Sequence, residues 1–149
     1  MKRLFAAVLL ILLTGSLCAC SAGSPASPEL TNVKTASKIG KDNRPADETG
    51  TFKTDVPVIY LTGSLKGGAA GTVIKAVWYY NSAEPPVEIN NAEYIAKKKN
   101  EQFAFKQPAP EGGWPPGSYE VRLYLNGKLK TKAAFTVSDS NLLTSSAAG

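Results

Sequence analysis

The chain has 149 residues, with 17 Lys and Arg against 12 Asp and Glu, a formal charge of +5 and no histidine. Losing Lys2 and Arg3 with a leader leaves 15 basic against 12 acidic residues, near +3, an excess too mild to imply a nucleic-acid partner. The missing histidine removes the commonest acid–base group and the commonest metal ligand at neutral pH, and the residues imply no cofactor.

Met1-Lys2-Arg3 is a short positive region, and Leu4 to Leu13 is an apolar run of signal-peptide length, too short to span a bilayer comfortably. Leu17-Cys18-Ala19-Cys20 follows. It resembles the lipobox of bacterial lipoproteins, with a branched apolar residue three before the cysteine and a small residue immediately before it. The resemblance implies a signal peptide over 1–19, cleavage before Cys20, a thioether-linked diacylglycerol on Cys20 and acylation of its amino group. The protein is then expected in the cell envelope, with the membrane as a partner through the lipid anchor. Ser21 after the cysteine implies, in a Gram-negative cell, the outer membrane, facing the periplasm or the surface. An ordinary secretory peptide cut after Ala19 or Ala22 is the competing reading. With Cys18 lost and Cys20 blocked, the mature domain is expected to have no disulfide.

Residues 20–50 read as the lipidated cysteine and a flexible linker. Ser21 to Gly50 is rich in Ser, Ala, Pro, Thr and balanced charge, and its few apolar residues keep no period. As a coil of that length it would hold the domain roughly 30 Å from the lipid surface.

From Thr51 to Asp139 the composition turns to Val, Ile, Tyr, Phe and Thr, broken by Gly and Pro clusters, the pattern of an antiparallel all-β sandwich. Strands are expected over Thr51–Val56, Val58–Leu65 and Thr72–Asn81, where Lys75 suggests that Ile74, Ala76, Trp78 and Tyr80 point inward. That leaves Val73, Val77 and Tyr79 on an unusually apolar outer face, so either the opposite assignment holds or something covers them. Val87 to Ala96 predicts a short strand and a turn at Asn90-Asn91, and Glu101 to Lys106 a strand with Phe103 and Phe105 on one face.

The clearest stretch is Trp114 to Val137. Tyr119, Val121, Leu123 and Leu125 alternate with polar residues at strand period, Asn126-Gly127 suits a type I′ turn, and the return strand sets Leu129, Thr131, Ala133, Phe135 and Val137 against Lys128, Lys130 and Lys132. Pro115, Gly117, Tyr119, Val121 and Leu123 resemble the start of the sixth strand in immunoglobulin-like and fibronectin-type sandwiches. The resemblance implies about seven strands over 51–139, a core Trp78 and a corner tyrosine at Tyr119 whose hydroxyl returns to nearby backbone. It brings no activity with it. Residues 140–149 are expected to be a disordered tail.

No metal-ligand spacing and no phosphate-binding glycine loop occurs in the sequence. Ser64 with Lys66, or Ser118 with Lys128, are the only conceivable nucleophile pairs, and Glu84, Glu88, Glu93 and Glu111 lack a framing motif; no catalytic residue is assigned. The expected function is a non-catalytic module that contacts another envelope protein. Its surface is placed at Tyr79, Arg122, Tyr124, Lys128, Lys130 and Lys132; Val77 and Trp114 could extend an aromatic patch with the tyrosines, against the plainer reading in which Trp114 packs beneath the loop and the tyrosines cover strand neighbours. The alternative is binding of carbohydrate or an anionic envelope polymer through the same lysines and aromatics, with lysines guarding a sheet edge as the plainest reading of the row.

Overall fold

The computed structural model describes residues 26–139. The expected signal peptide over 1–19, the lipobox-like stretch with Cys20 and the expected tail over 140–149 lie outside the described residues. Eight strands follow in order: β1 (Glu29–Ala36), β2 (Thr51–Lys53), β3 (Val58–Lys66), β4 (Val73–Tyr80), β5 (Val87–Ile95), β6 (Gln102–Pro108), β7 (Gly117–Leu125) and β8 (Lys128–Ser138). They form a three-stranded sheet, β1-β3-β6, and a five-stranded sheet, β2-β8-β7-β4-β5. Pairing is antiparallel except that β2 runs parallel to β8.

Alternation places the core between the sheets. Ile59, Leu61, Phe103 and Phe105 come from the small sheet, and Ile74, Ala76, Trp78, Val121, Leu123 and Phe135 from the large one, all buried. Each such large side chain contributes about 1.5 to 3 kcal/mol by leaving water. The aromatic centre is contiguous. The Tyr119 ring stacks on Phe135 at 5.0 Å, and Trp114 and Trp78 meet Phe135 edge-on at 6.2 and 6.0 Å. The expected corner is present: the Tyr119 hydroxyl donates to the Pro115 carbonyl at 2.6 Å.

Three expectations are corrected here. The first concerns the linker, since Glu29–Ala36 is a strand paired with β3, from Glu29 opposite Lys66 to Ala36 opposite Tyr60. Its apolar residues lack a period because the register shifts between Thr31 and Lys34, with Asn32 at φ 52°. Residues 37–50 continue as an arm closed by bonds from Gly40 N–H to Arg44 (2.8 Å) and Ala46 N–H to Lys38 (3.0 Å). Arg44, Pro45 and Glu48 of the arm share a cleft with Ser64 and Gln102 on the outer side of the small sheet. The described sandwich thus has eight strands, and the domain starts well before Thr51.

Second, Asn90-Asn91 is no turn. Val87–Ile95 is one strand, with Asn90 opposite Trp78 and Asn91 opposite Val77, and a bulge at Ile89. Third, the return strand has a bulge at Lys130, so Leu129 pairs with Tyr124 and Thr131 with Leu123. One inserted residue reverses the faces on one side of it, which moves Leu129 to the outer face, 47% exposed. Of the two readings of Trp114 the packed one holds: it is buried, and its indole N–H donates to the Val56 carbonyl at 3.0 Å.

Candidate binding surface

The outer face of the five-stranded sheet is built in rows across the strands, because directly opposed residues share a face. One row is Lys132, Arg122, Val77 and Asn91; the next is Ala134, Glu120, Tyr79 and Glu88; on the other side lie Leu129, Tyr124, Lys75 and Glu93. Of the six residues expected to form the surface, the structure brings Tyr79, Arg122, Tyr124 and Lys132 together in these rows. Lys128 and Lys130 fall outside them. Lys128 is opposite Leu125, whose side chain enters the core, and Lys130 is the bulge residue with no partner in the register. The lysines therefore form no single row.

Charge in the middle of the face is organised by Glu120. Its carboxylate accepts from Arg122 Nε at 2.7 Å and lies 3.4 Å from Lys132 Nζ. The Arg122 bond, with help from Lys132, holds the Glu120 carboxyl below the usual carboxylate range, and the same bond raises Arg122. The Arg122 guanidinium also lies over the Tyr79 ring, 4.2 Å from its centroid, within cation–π range. These long side chains explain the apolar outer face of β4. Val77, between Arg122 and Asn91 in its row, is only 6% exposed although it points away from the core, since the stems of such residues cover apolar surface while their heads stay wet. The inward set was read correctly, with Ile74, Ala76 and Trp78 buried and Tyr80 packed against the core.

Beside this network lies an open cleft of about 460 Å³. Val73 and Val77 supply its apolar part, Tyr79 and Tyr124 its aromatic part, and Lys75, Glu88 and Glu93 its charge. It is bounded by β5, which among the described residues pairs in the sheet only with β4 and exposes Val87, Ile89 and Ile95. The arrangement offers flat apolar area, hydrogen-bond acceptors and donors of both signs, which suits recognition of a surface or a polar ligand. Sequence reasoning missed Lys75, Glu88, Glu93 and Glu120 as members, because only the cross-strand register assembles them.

One of the two nucleophile pairs comes apart, while Ser64 and Lys66 stay two residues apart on one face of β3. Ser118 is at the start of β7 and Lys128 opposite its last residue, so about 23 Å of strand separates them. The Ser64 hydroxyl donates to Gln102 at 2.7 Å. Among the described residues no group of three or more His, Cys, Asp or Glu could hold a metal ion, and no helix is long and apolar enough to cross a membrane.

No protein-family model matches the sequence, and no match was found among curated proteins. Among solved structures, an immunoglobulin-like protein from Pseudomonas aeruginosa superposes with a TM-score of 0.50 at 10% identity, over 78% of this chain and 100% of that one. The fold is an immunoglobulin-like β-sandwich. The alkylpurine DNA glycosylase of Pseudomonas fluorescens, bound to DNA containing an abasic site analog, aligns with a TM-score of 0.48 at 15% identity, over 78% of this chain and 32% of that one. The chain thus spans about a third of that enzyme's length. The likeness to the immunoglobulin-like protein is of architecture, on which many unrelated functions are built.

Proposed function

We propose that the protein is a lipid-anchored component of the cell envelope, held by acyl chains on Cys20, whose immunoglobulin-like sandwich is a non-catalytic binding or assembly module for another envelope protein. The observation that carries this reading is the outer face of the five-stranded sheet: Tyr79, Val77 and Tyr124 beside exposed Ile89, Ile95 and Leu129, with the Glu120–Arg122–Lys132 network at its centre. Aromatic and Arg anchors surrounded by polar residues are the composition that protein interfaces favour. A photo-reactive residue placed at Tyr79 or Tyr124 in cells should give the same discrete adduct from both positions, and one at Lys106 on the other sheet should give none. Equal labelling from both sheets, or none from either, refutes the face assignment. The anchor is checked by intact mass: acyl chains on Cys20 are expected, and an unmodified residue refutes the lipoprotein reading.

A second reading is supported by the cleft, where Tyr79 and Tyr124 offer aromatic surface and Lys75, Glu88 and Glu93 offer polar contacts to a carbohydrate. Changing Lys75 to Gln together with Tyr124 to Ala should then abolish co-sedimentation with a polysaccharide, and binding that survives the change dismisses the cleft. An anionic envelope polymer would be met by Lys128, Lys130 and Lys132 instead, and binding of it that survives their joint change to Gln dismisses those lysines.

A further inference from the structure

The ends of the sandwich carry opposite charge. The pole where β1 begins also holds the end of β3, the β5–β6 turn and the β7–β8 turn, as the register of Glu29 with Lys66 and of Val73 with Ile95, and the bonds between Val73 and Asn126, require. Lys66, Lys97, Lys98, Lys99, Lys128 and Lys130 are all exposed there, against the carboxylates of Glu29 and Glu101. Glu101 is already engaged. It accepts from the Tyr94 hydroxyl at 2.8 Å and from the backbone N–H groups of Lys97 (2.7 Å) and Lys98 (3.3 Å), which fixes the turn and leaves the lysine ammonium groups outward. Lys41 and Arg44 of the arm reach the same end and line a shallow cleft with Lys98; Asp42 is paired with Arg44 at 3.4 Å. The opposite pole, where β2, β4, β6 and β8 end, exposes Asp55, Glu84, Glu111 and Asp139 against Lys53.

The chain enters at the basic pole. A Cβ on Gly67 would lie 3.3 Å from the Ala26 carbonyl, and the Gly67 N–H donates to Asn100 Oδ1 at 2.8 Å, so the first described residue lies beside the Lys97–Asn100 turn. Five residues lie between Cys20 and Ala26, which makes six Cα-to-Cα steps. Even fully extended they reach only about 20 Å, against the roughly 30 Å implied when residues 21–50 were read as a coil.

We propose that this pole is the membrane-facing end of the domain, and that its lysines dock on the phosphates of anionic phospholipids in the bilayer that holds the anchor. This rests on lipidation at Cys20. The short connection keeps the lysines within reach of the surface, and each one that comes within a Debye length of it contributes about fivefold to the docked population at low screening. The strands then run away from the bilayer, the outer sheet face is presented sideways to neighbouring envelope proteins, and the acidic pole points outward.

The test uses the lipidated full chain on vesicles of phosphatidylglycerol with phosphatidylethanolamine, and on vesicles of phosphatidylcholine alone, read by amide hydrogen exchange. Amides of 67–71 and 97–100 should exchange more slowly on the anionic vesicles and equally fast on both after high salt. Changing Lys97, Lys98 and Lys99 to Gln keeps the backbone bonds to Glu101 and should cut the docked-to-undocked ratio by about a hundredfold, whereas Glu84→Gln with Glu111→Gln should not reduce it. Intact mass of the same sample separates the two ideas. With acyl chains on Cys20, exchange that ignores lipid charge or the triple change overturns the docking alone; without them, the anchor reading and the docking both fall.

Discussion

Tyr119→Phe isolates one hydroxyl at the aromatic centre of the sandwich. The ring stays: its stacking on Phe135 (5.0 Å) and its edge contact with Trp114 (5.5 Å) need no hydroxyl. What goes is the 2.6 Å bond to the Pro115 carbonyl. A bond of this kind contributes about 1 kcal/mol net, and Pro115 is exposed, so its carbonyl can turn to water and adds no burial penalty. The expected loss is about 1 kcal/mol in urea unfolding at neutral pH, against about 3 to 5 kcal/mol for Tyr119→Ala, which also empties the ring site. The pH dependence sharpens the test. Burial, with a smaller contribution from Tyr80, pushes the Tyr119 phenol up to about 12 from an ordinary 10. The folded state therefore keeps this proton where the unfolded chain has lost it. The stabilisation is complete below pH 10 and is lost as pH rises from 10 towards 12. The gap between wild type and Tyr119→Phe should shrink over that window. A gap that stays constant to pH 11.5, or a loss as large as that of Tyr119→Ala, refutes the corner as described.

Gly63→Ala should destabilise by about 1 to 3 kcal/mol in the same assay, because its Cβ would come within 2.5 Å of the Phe103 ring, which core neighbours hold in place; a neutral outcome would show that the ring yields freely. Arg122→Gln should flatten the acid limb of the stability profile. With Glu120 held below its ordinary range by Arg122, wild type keeps this contribution above the unfolded carboxylate pKa and loses it as pH falls through the lowered value; identical acid limbs by urea midpoint refute the coupling. A chain lacking residues 26–50 should fail to give a cooperative unfolding transition, since it exposes the β3 edge and loses buried Ala36 and the packing of Leu30 and Val33. Recovery of a stable, monomeric Thr51–Asp139 fragment would restore the linker reading of that stretch.

The residues themselves determined the all-β class, the closing hairpin and the inward set of β4. Period-two alternation from Tyr119 to Leu125 is local information, and Asn126-Gly127 supplies the positive φ values, 47° and 84°, that its turn needs. Phe103 and Phe105 were legible for the same reason. Bulges were not. The extra residue at Lys130 leaves a sequence that still alternates, and only its partner strand reveals that Leu129 has changed sides. β1 was invisible because its shift between Thr31 and Lys34 breaks the alternation and because its strand character comes from pairing with β3, a contact dozens of residues away. The binding surface shows the same division. Tyr79, Arg122 and Tyr124 are marked by their positions opposite inward neighbours, but Glu120, Glu88 and Lys75 join them only through register. The polarity of the molecule is purely tertiary: Lys66, Lys97 and Lys128 lie on separate strands and turns, and the antiparallel topology, which returns the chain to one end after every second strand, gathers them where Ala26 enters. Local spacing wrote the faces of β4, β6 and β7; the faces beyond a bulge, and the ends and rows of the sandwich, exist only once the strands are paired.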